Sequence, residues 1–181
     1  MENRSVNHYE KAFENWLIDN RVKYTSIDQS KRAAFGKAKL KSFDFLLERD
    51  GKSTIIAEVK GRIFKGGSFE KLTKLECWSV ADDVEGMLQW QKVFGQSYQA
   101  YFIFAYCMEN PDVDFDGRGV YEYSQKKYLF LAIGLDDYRR FMKLRSPKWR
   151  TVTLSAEDFR RCAIDLEKLL TADKLTTNEH E

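Results

Sequence analysis

The chain has 181 residues, of which 43% are hydrophobic, 14% aromatic and 32% charged. That length suits one domain, and the aromatic content excludes a disordered chain, while only 10 glycines and 2 prolines exclude a collagenous or low-complexity one. The 30 basic and 28 acidic residues nearly cancel, so the chain does not read as a protein that coats nucleic acid, although local contact with it stays open.

Other features narrow the class further. The longest uncharged apolar run, Ala100 to Met108, falls far short of the ~20 residues a membrane span needs. The N-terminal segment lacks an apolar core, so no secretory signal is expected. Cys77, Cys107 and Cys162 are odd in number and widely spaced, as expected of reduced, buried thiols in a cytoplasmic protein. Two histidines are too few for a His/Cys zinc site. Metal chemistry, if present, must use carboxylates, which prefer hard ions such as Mg²⁺ or Mn²⁺.

In chain order, Tyr9, Phe13, Trp16 and Leu17 form one stripe of a helix over Asn7–Asn20, with Asn7 as N-cap and Asn20 as a left-handed C-terminal residue. Tyr24–Ile27 reads as a short extended piece and Gln29–Ala38 as a basic helix or loop. Ser42–Glu48 and Ser53–Lys60 are strands joined by an Asp50-Gly51 turn. Gly61–Lys74 reads as a basic loop, and Ala81–Phe94 as an amphipathic helix stopped by Gly95. Tyr98–Met108 is apolar throughout, as a strand buried on both faces would be, and the helix before it suits a parallel crossover. After an acidic loop over Glu109–Gly119 come strands at Val120–Tyr123 and Lys127–Ile133, a helix at Asp136–Leu144 and an edge strand at Trp149–Leu154. A helix follows from the Ser155 cap through Leu170. The expected class is mixed α/β, one domain over 1–170 with a frayed tail at 171–181.

Three charges disturb the strand pair. Asp44 sits in an otherwise apolar strand, and Glu58 and Lys60 interrupt the next one. A lone buried carboxylate costs several kcal/mol unless paired or bound to a cation. Glu58 and Lys60, two apart, share a face, and the hairpin can set Asp44 beside Glu58. Val59 points the other way, yet its backbone carbonyl is a possible oxygen ligand. Two carboxylates can hold a divalent cation, which activates water and offsets charge on a phosphoryl oxygen. Lys60 beside two acids stays protonated, suited to charge stabilisation more than to general-base work. A cross-strand salt bridge on a solvated face would use the same residue types, but the flanking Phe, Leu, Ile, Ala and Val argue against solvation.

The pattern Asp44, then Glu58-Val59-Lys60-Gly61, resembles the PD-(D/E)XK nuclease superfamily, which includes restriction endonucleases and archaeal-type Holliday-junction resolvases. Phe43 stands where the motif has its proline. The resemblance covers about residues 7–108 and leaves 109–170 as an extension. It implies a restriction-endonuclease-like α/β core and Mg²⁺-dependent (or Mn²⁺-dependent) hydrolysis of phosphodiester bonds in DNA, with RNA as the lesser expectation. It also implies an acid on the first helix, Glu10 or else Glu14, as a further metal ligand, and a glutamine on the helix after the Lys strand, Gln89 or else Gln91. Many relatives work as dimers, so a homodimer is possible.

Lys31, Arg32, Lys37, Lys39 and Lys41 precede the Asp strand, and Arg62 and Lys65 follow the Lys strand; such residues suit phosphate contacts. Arg145, Lys148, Trp149 and Arg150 form a second basic-aromatic group able to stack on a base. Trp78 and Trp90 are expected in packing, and Asp136-Asp137 at a helix N-terminus. Two rival readings are a nucleic-acid-binding module without turnover and an interaction protein that dimerises through its aromatic C-terminal half.

Overall fold

The computed structural model describes residues 7–27, 43–49 and 51–171. In chain order its elements are α1 (His8–Asp19), β1 (Tyr24–Ser26), β2 (Phe45–Leu47), β3 (Thr54–Phe64), β4 (Ser79–Val80), α2 (Ala81–Phe94) and β5 (Tyr98–Met108). Then follow β6 (Tyr121–Tyr123), β7 (Lys126–Gly134), α3 (Leu135–Phe141), β8 (Lys143–Ser146), β9 (Thr151–Thr153), α4 (Ala156–Cys162), β10 (Ile164–Asp165) and α5 (Leu166–Thr171). The central sheet runs β1-β2-β3-β5-β7-β10, with β6 also paired to β7, and a second sheet runs β4-β9-β8.

The three long strands of the central sheet are buried on both faces, and strict alternation divides them. Ile103, Ala105 and Cys107 of β5 join Tyr128, Phe130 and Ala132 of β7 in the core beneath α1 and α5. Phe102, Phe104 and Tyr106 join Leu129, Leu131 and Ile133 in the opposite core, with Val84 and Met87 of α2 and Tyr138 of α3. Two full cores of this kind are what a sheet covered on both sides requires. β3 and β5 are parallel over their whole length, and α2 makes the crossover between them.

Several sequence expectations shift. Asn7 caps α1 by accepting from the Tyr9 N–H, but Asn20 has φ −89°, and the left-handed residue is Arg21 at φ 56°. β3 continues through Gly61–Phe64, read as loop from composition, because β5 offers Ala105–Met108 as parallel partners. α3 ends at Phe141, since Lys143–Ser146 pairs with β9 and Pro147 biases Ser146 toward extended backbone. β9 is the centre of the small sheet and not an edge. The helix begun at Ser155 breaks after Cys162, because Ile164 and Asp165 pair with Ala132 and Leu131 of β7. Thus the C-terminal segment supplies strands to the central sheet as well as an added layer. Gln29–Ala38 falls outside the described residues.

Candidate active site

Asp44 occupies a bend immediately before β2, not the strand interior. The bend sends Phe43 into the α2-side core and Phe45 into the α1-side core, which leaves the aspartate at the end of the ladder. Its N–H donates to the Ala57 carbonyl at 3.0 Å, and its carbonyl accepts from Ile27 N at 2.9 Å. β2 stops opposite Ala57, so the Val59 N–H has no β2 carbonyl to meet. Asp44 Oδ2 accepts it at 2.8 Å, a charge-assisted bond made by a carboxylate only 8% exposed. The N–H and C=O of one strand residue point to the same edge, so the Val59 carbonyl is turned toward this edge too.

Glu58 and Lys60 lie on the α2 side of β3, while Val59 belongs to the α1-side core. Lys60 Nζ donates to Glu58 Oε1 at 2.6 Å and to Asp83 Oδ2 at 2.5 Å. It also lies 5.3 Å from the centroid of the Phe102 ring. Burial opposes the charge on Lys60, but Glu58 and Asp83 outweigh it and hold the pKa above its ordinary value. Burial raises Glu58 to about 7; Lys60 pulls it down, while Asp83 and Asp44 push it up. The site therefore concentrates negative charge around one resident ammonium.

Asp83 is the residue sequence reading missed. Asp82 and Asp83 both lie in the first turn of α2, where any acid complements the helix dipole. Yet Asp82 pairs with Arg150 at the surface, whereas Asp83 is buried against Lys60. The signal was Met87, four residues on and part of the inward stripe, which puts Asp83 on the same face.

The two helix positions left open by the sequence separate clearly. Glu10 is half-buried, and its pKa is raised by burial first, then by Glu58 and Glu14, so it shares the field of the site. Glu14 instead accepts from the Tyr24 hydroxyl at 3.0 Å. On α2, Gln91 Oε1 accepts from Ala100 N at 2.8 Å, and Gln89 is exposed. The helix thus presents Asp83 to Lys60, and neither glutamine is brought to it. Gly61 explains how α1 comes so close: a Cβ there would sit 2.1 Å from the Tyr9 ring, one residue before Glu10.

The basic candidates divide likewise. Arg62 donates to the Gly61 carbonyl at 2.7 Å and to the Trp78 carbonyl, with its guanidinium 4.1 Å from the Trp78 ring centroid. It is half-buried and holds the chain after β3 against the sheet, so it is a packing residue more than an open phosphate contact. Lys65 is exposed, 3.9 Å from Glu109. Lys31, Arg32, Lys37, Lys39 and Lys41 lie outside the described residues.

Among the described residues, no three acidic, histidine or cysteine side chains already stand as a metal-holding group. The donor chemistry nonetheless fits a hard ion that keeps much of its water, which one or two carboxylates suffice to hold. Asp44 and Glu58 are such a pair, and a carboxyl raised to about 7 by burial first, and then by its acidic neighbours, is one that a cation would return to its ionised form.

No protein-family model and no curated protein sequence matches this chain. Among solved structures, its fold matches Hjc, a Holliday junction resolvase from the archaeal hyperthermophile Archaeoglobus fulgidus, with a TM-score of 0.53 and 12% sequence identity. The match covers 90% of this chain and 98% of that one, so it extends well past residue 108. At that identity the likeness is one of fold. The mixed central sheet flanked by helices is the resolvase-like, restriction-endonuclease-like architecture.

Proposed function

We propose that the chain is a metal-dependent nuclease that hydrolyses phosphodiester bonds in DNA. The observation that carries this reading is Lys60, held between Glu58 and Asp83 beside the ladder-capping Asp44, on a resolvase-like fold. Asp44 and Glu58, with the Val59 carbonyl, are the residues that would hold Mg²⁺ or Mn²⁺, and Glu10 would serve as an additional ligand or outer-shell partner. When bound, the ion supplies an activated water and offsets charge on the phosphoryl oxygen.

The protein's own groups do the rest. Lys60 stays protonated and presents an ammonium where negative charge builds on the phosphoryl oxygens. Asp83 positions that ammonium from the helix side, so Lys60 has a second anionic partner besides Glu58, which would be among the residues holding the cation. Asp44, fixed by the Val59 N–H, keeps its carboxylate aimed without reorganisation.

The test is nicking of supercoiled plasmid with Mg²⁺ or Mn²⁺. Wild type nicks, and Asp44→Ala does not. Absence of cleavage with either ion, or equal cleavage by the variant, refutes the proposal.

A further inference from the structure

The turn between β8 and β9 presents the most exposed large hydrophobic side chain among the described residues. From Met142 to Thr153 the chain carries Lys143, Arg145, Lys148 and Arg150 and no acid. Trp149 is 68% exposed, with Lys148 Nζ 5.2 Å from its ring centroid. The turn thus offers one open aromatic face within a run of basic residues, which complements an occupant that is both flat and anionic.

This turn is anchored to the candidate site. The Arg150 carbonyl accepts from Ala81 N at 2.8 Å, and its guanidinium meets Asp82 Oδ1 at 3.1 Å. The next residue, Asp83, holds Lys60. A second link runs over the small sheet: Arg62 lies against one indole, Trp78, and Arg145 lies 5.3 Å from the centroid of that same ring.

We propose that Trp149, on the basic turn that carries Lys148 and Arg145, is a stacking platform for an unpaired nucleotide. The substrate class is therefore a nucleic acid with a single-stranded stretch beside the cleaved bond. Bases inside a duplex have both faces covered by their neighbours, so only an unpaired base can offer a face to an exposed indole. Lys148 and the other cations of the turn take the phosphates of the same strand. The location of the cut rests on the nuclease reading; the binding does not.

Fluorescence anisotropy in EDTA, with a labelled single strand and the duplex of the same sequence, tests the platform. Trp149→Ala is expected to weaken single-strand binding about tenfold and duplex binding less than about twofold. Trp149→Phe keeps most of the single-strand affinity, because a ring is retained. Undiminished single-strand binding by Trp149→Ala overturns the proposal and leaves the exposed indole to a protein partner. Equal loss on both ligands, or no nucleic-acid binding by wild type, overturns it as well. If single-strand affinity falls as expected while plasmid is never nicked, the platform stands and the nuclease reading falls. Normal nicking with unchanged affinity in the variant removes the platform alone.

Discussion

The two faces of β3 are built from the same eleven residues and serve opposite ends. On the α1 face, Ile55, Ala57 and Val59 close against Phe13 and Phe45, with ring centroids of the latter pair 5.3 Å apart. On the α2 face, Ile56 and Phe64 are buried at the two ends, and Glu58, Lys60 and Arg62 stand between them. The contrast teaches that period-two alternation lets one strand divide its duties. The apolar face supplies cohesion, and the charged face can then hold costly groups in one place.

Substitutions on the two faces therefore have different signatures. Phe13→Ala on the apolar side is expected to lower unfolding free energy by about 3–5 kcal/mol, read by urea denaturation. It leaves turnover per folded molecule unchanged; a parallel fall in turnover would mean that the faces are not separable. Lys60→Met is expected to lower plasmid cleavage by about 10²–10³-fold in single-turnover assays, a loss per folded molecule that Phe13→Ala does not share, while the circular-dichroism spectrum is kept.

Smaller effects refine the charged side. Glu58 holds its proton to about 7 in the folded chain, against 4.5 for the ordinary carboxyl. Folding stability on this account is fully present below about pH 4.5 and is lost as pH rises through about 7. Glu58→Gln removes that dependence and is expected to exceed wild type by on the order of 2 kcal/mol at alkaline pH in metal-free urea titrations. Added Mg²⁺ should narrow the gap, since it favours the ionised carboxylate. The smallest effect is at the start of the apolar helix: Asn7→Ala loses the bond accepted from Tyr9 N and costs about 1 kcal/mol, seen as a small drop in Tm with no change in cleavage.

How much of this was readable beforehand depended on the range of the forces involved. α1, α2, β5 and β7 were legible because long periodic runs report the faces they bury, and the limits of α2 and β5 match the sequence reading residue for residue. The breaks were not. Nothing local says that the run after Ser155 must stop at Cys162; the pairing of Ile164 and Asp165 with β7 decides it. Likewise Asp44, Glu58 and Lys60 announced themselves as charges among apolar neighbours, whereas Asp83 looked like an ordinary helix-start acid. Its role appears only when α2 is laid across β3. On that helix Gln89, the preferred glutamine, is exposed, and Gln91 is taken up by the Ala100 amide, placements that local sequence does not report.

The aspartate that finishes the β2–β3 ladder carries a consequence for natural variation. Its carboxylate stands in for a missing peptide carbonyl, so its reach is set by strand spacing. Keeping the charge is then not enough. A glutamate at 44, one methylene longer, would overshoot the amide and turn its oxygens away from the pocket, and a chain carrying it would keep an acidic site that is misaligned by about one bond length.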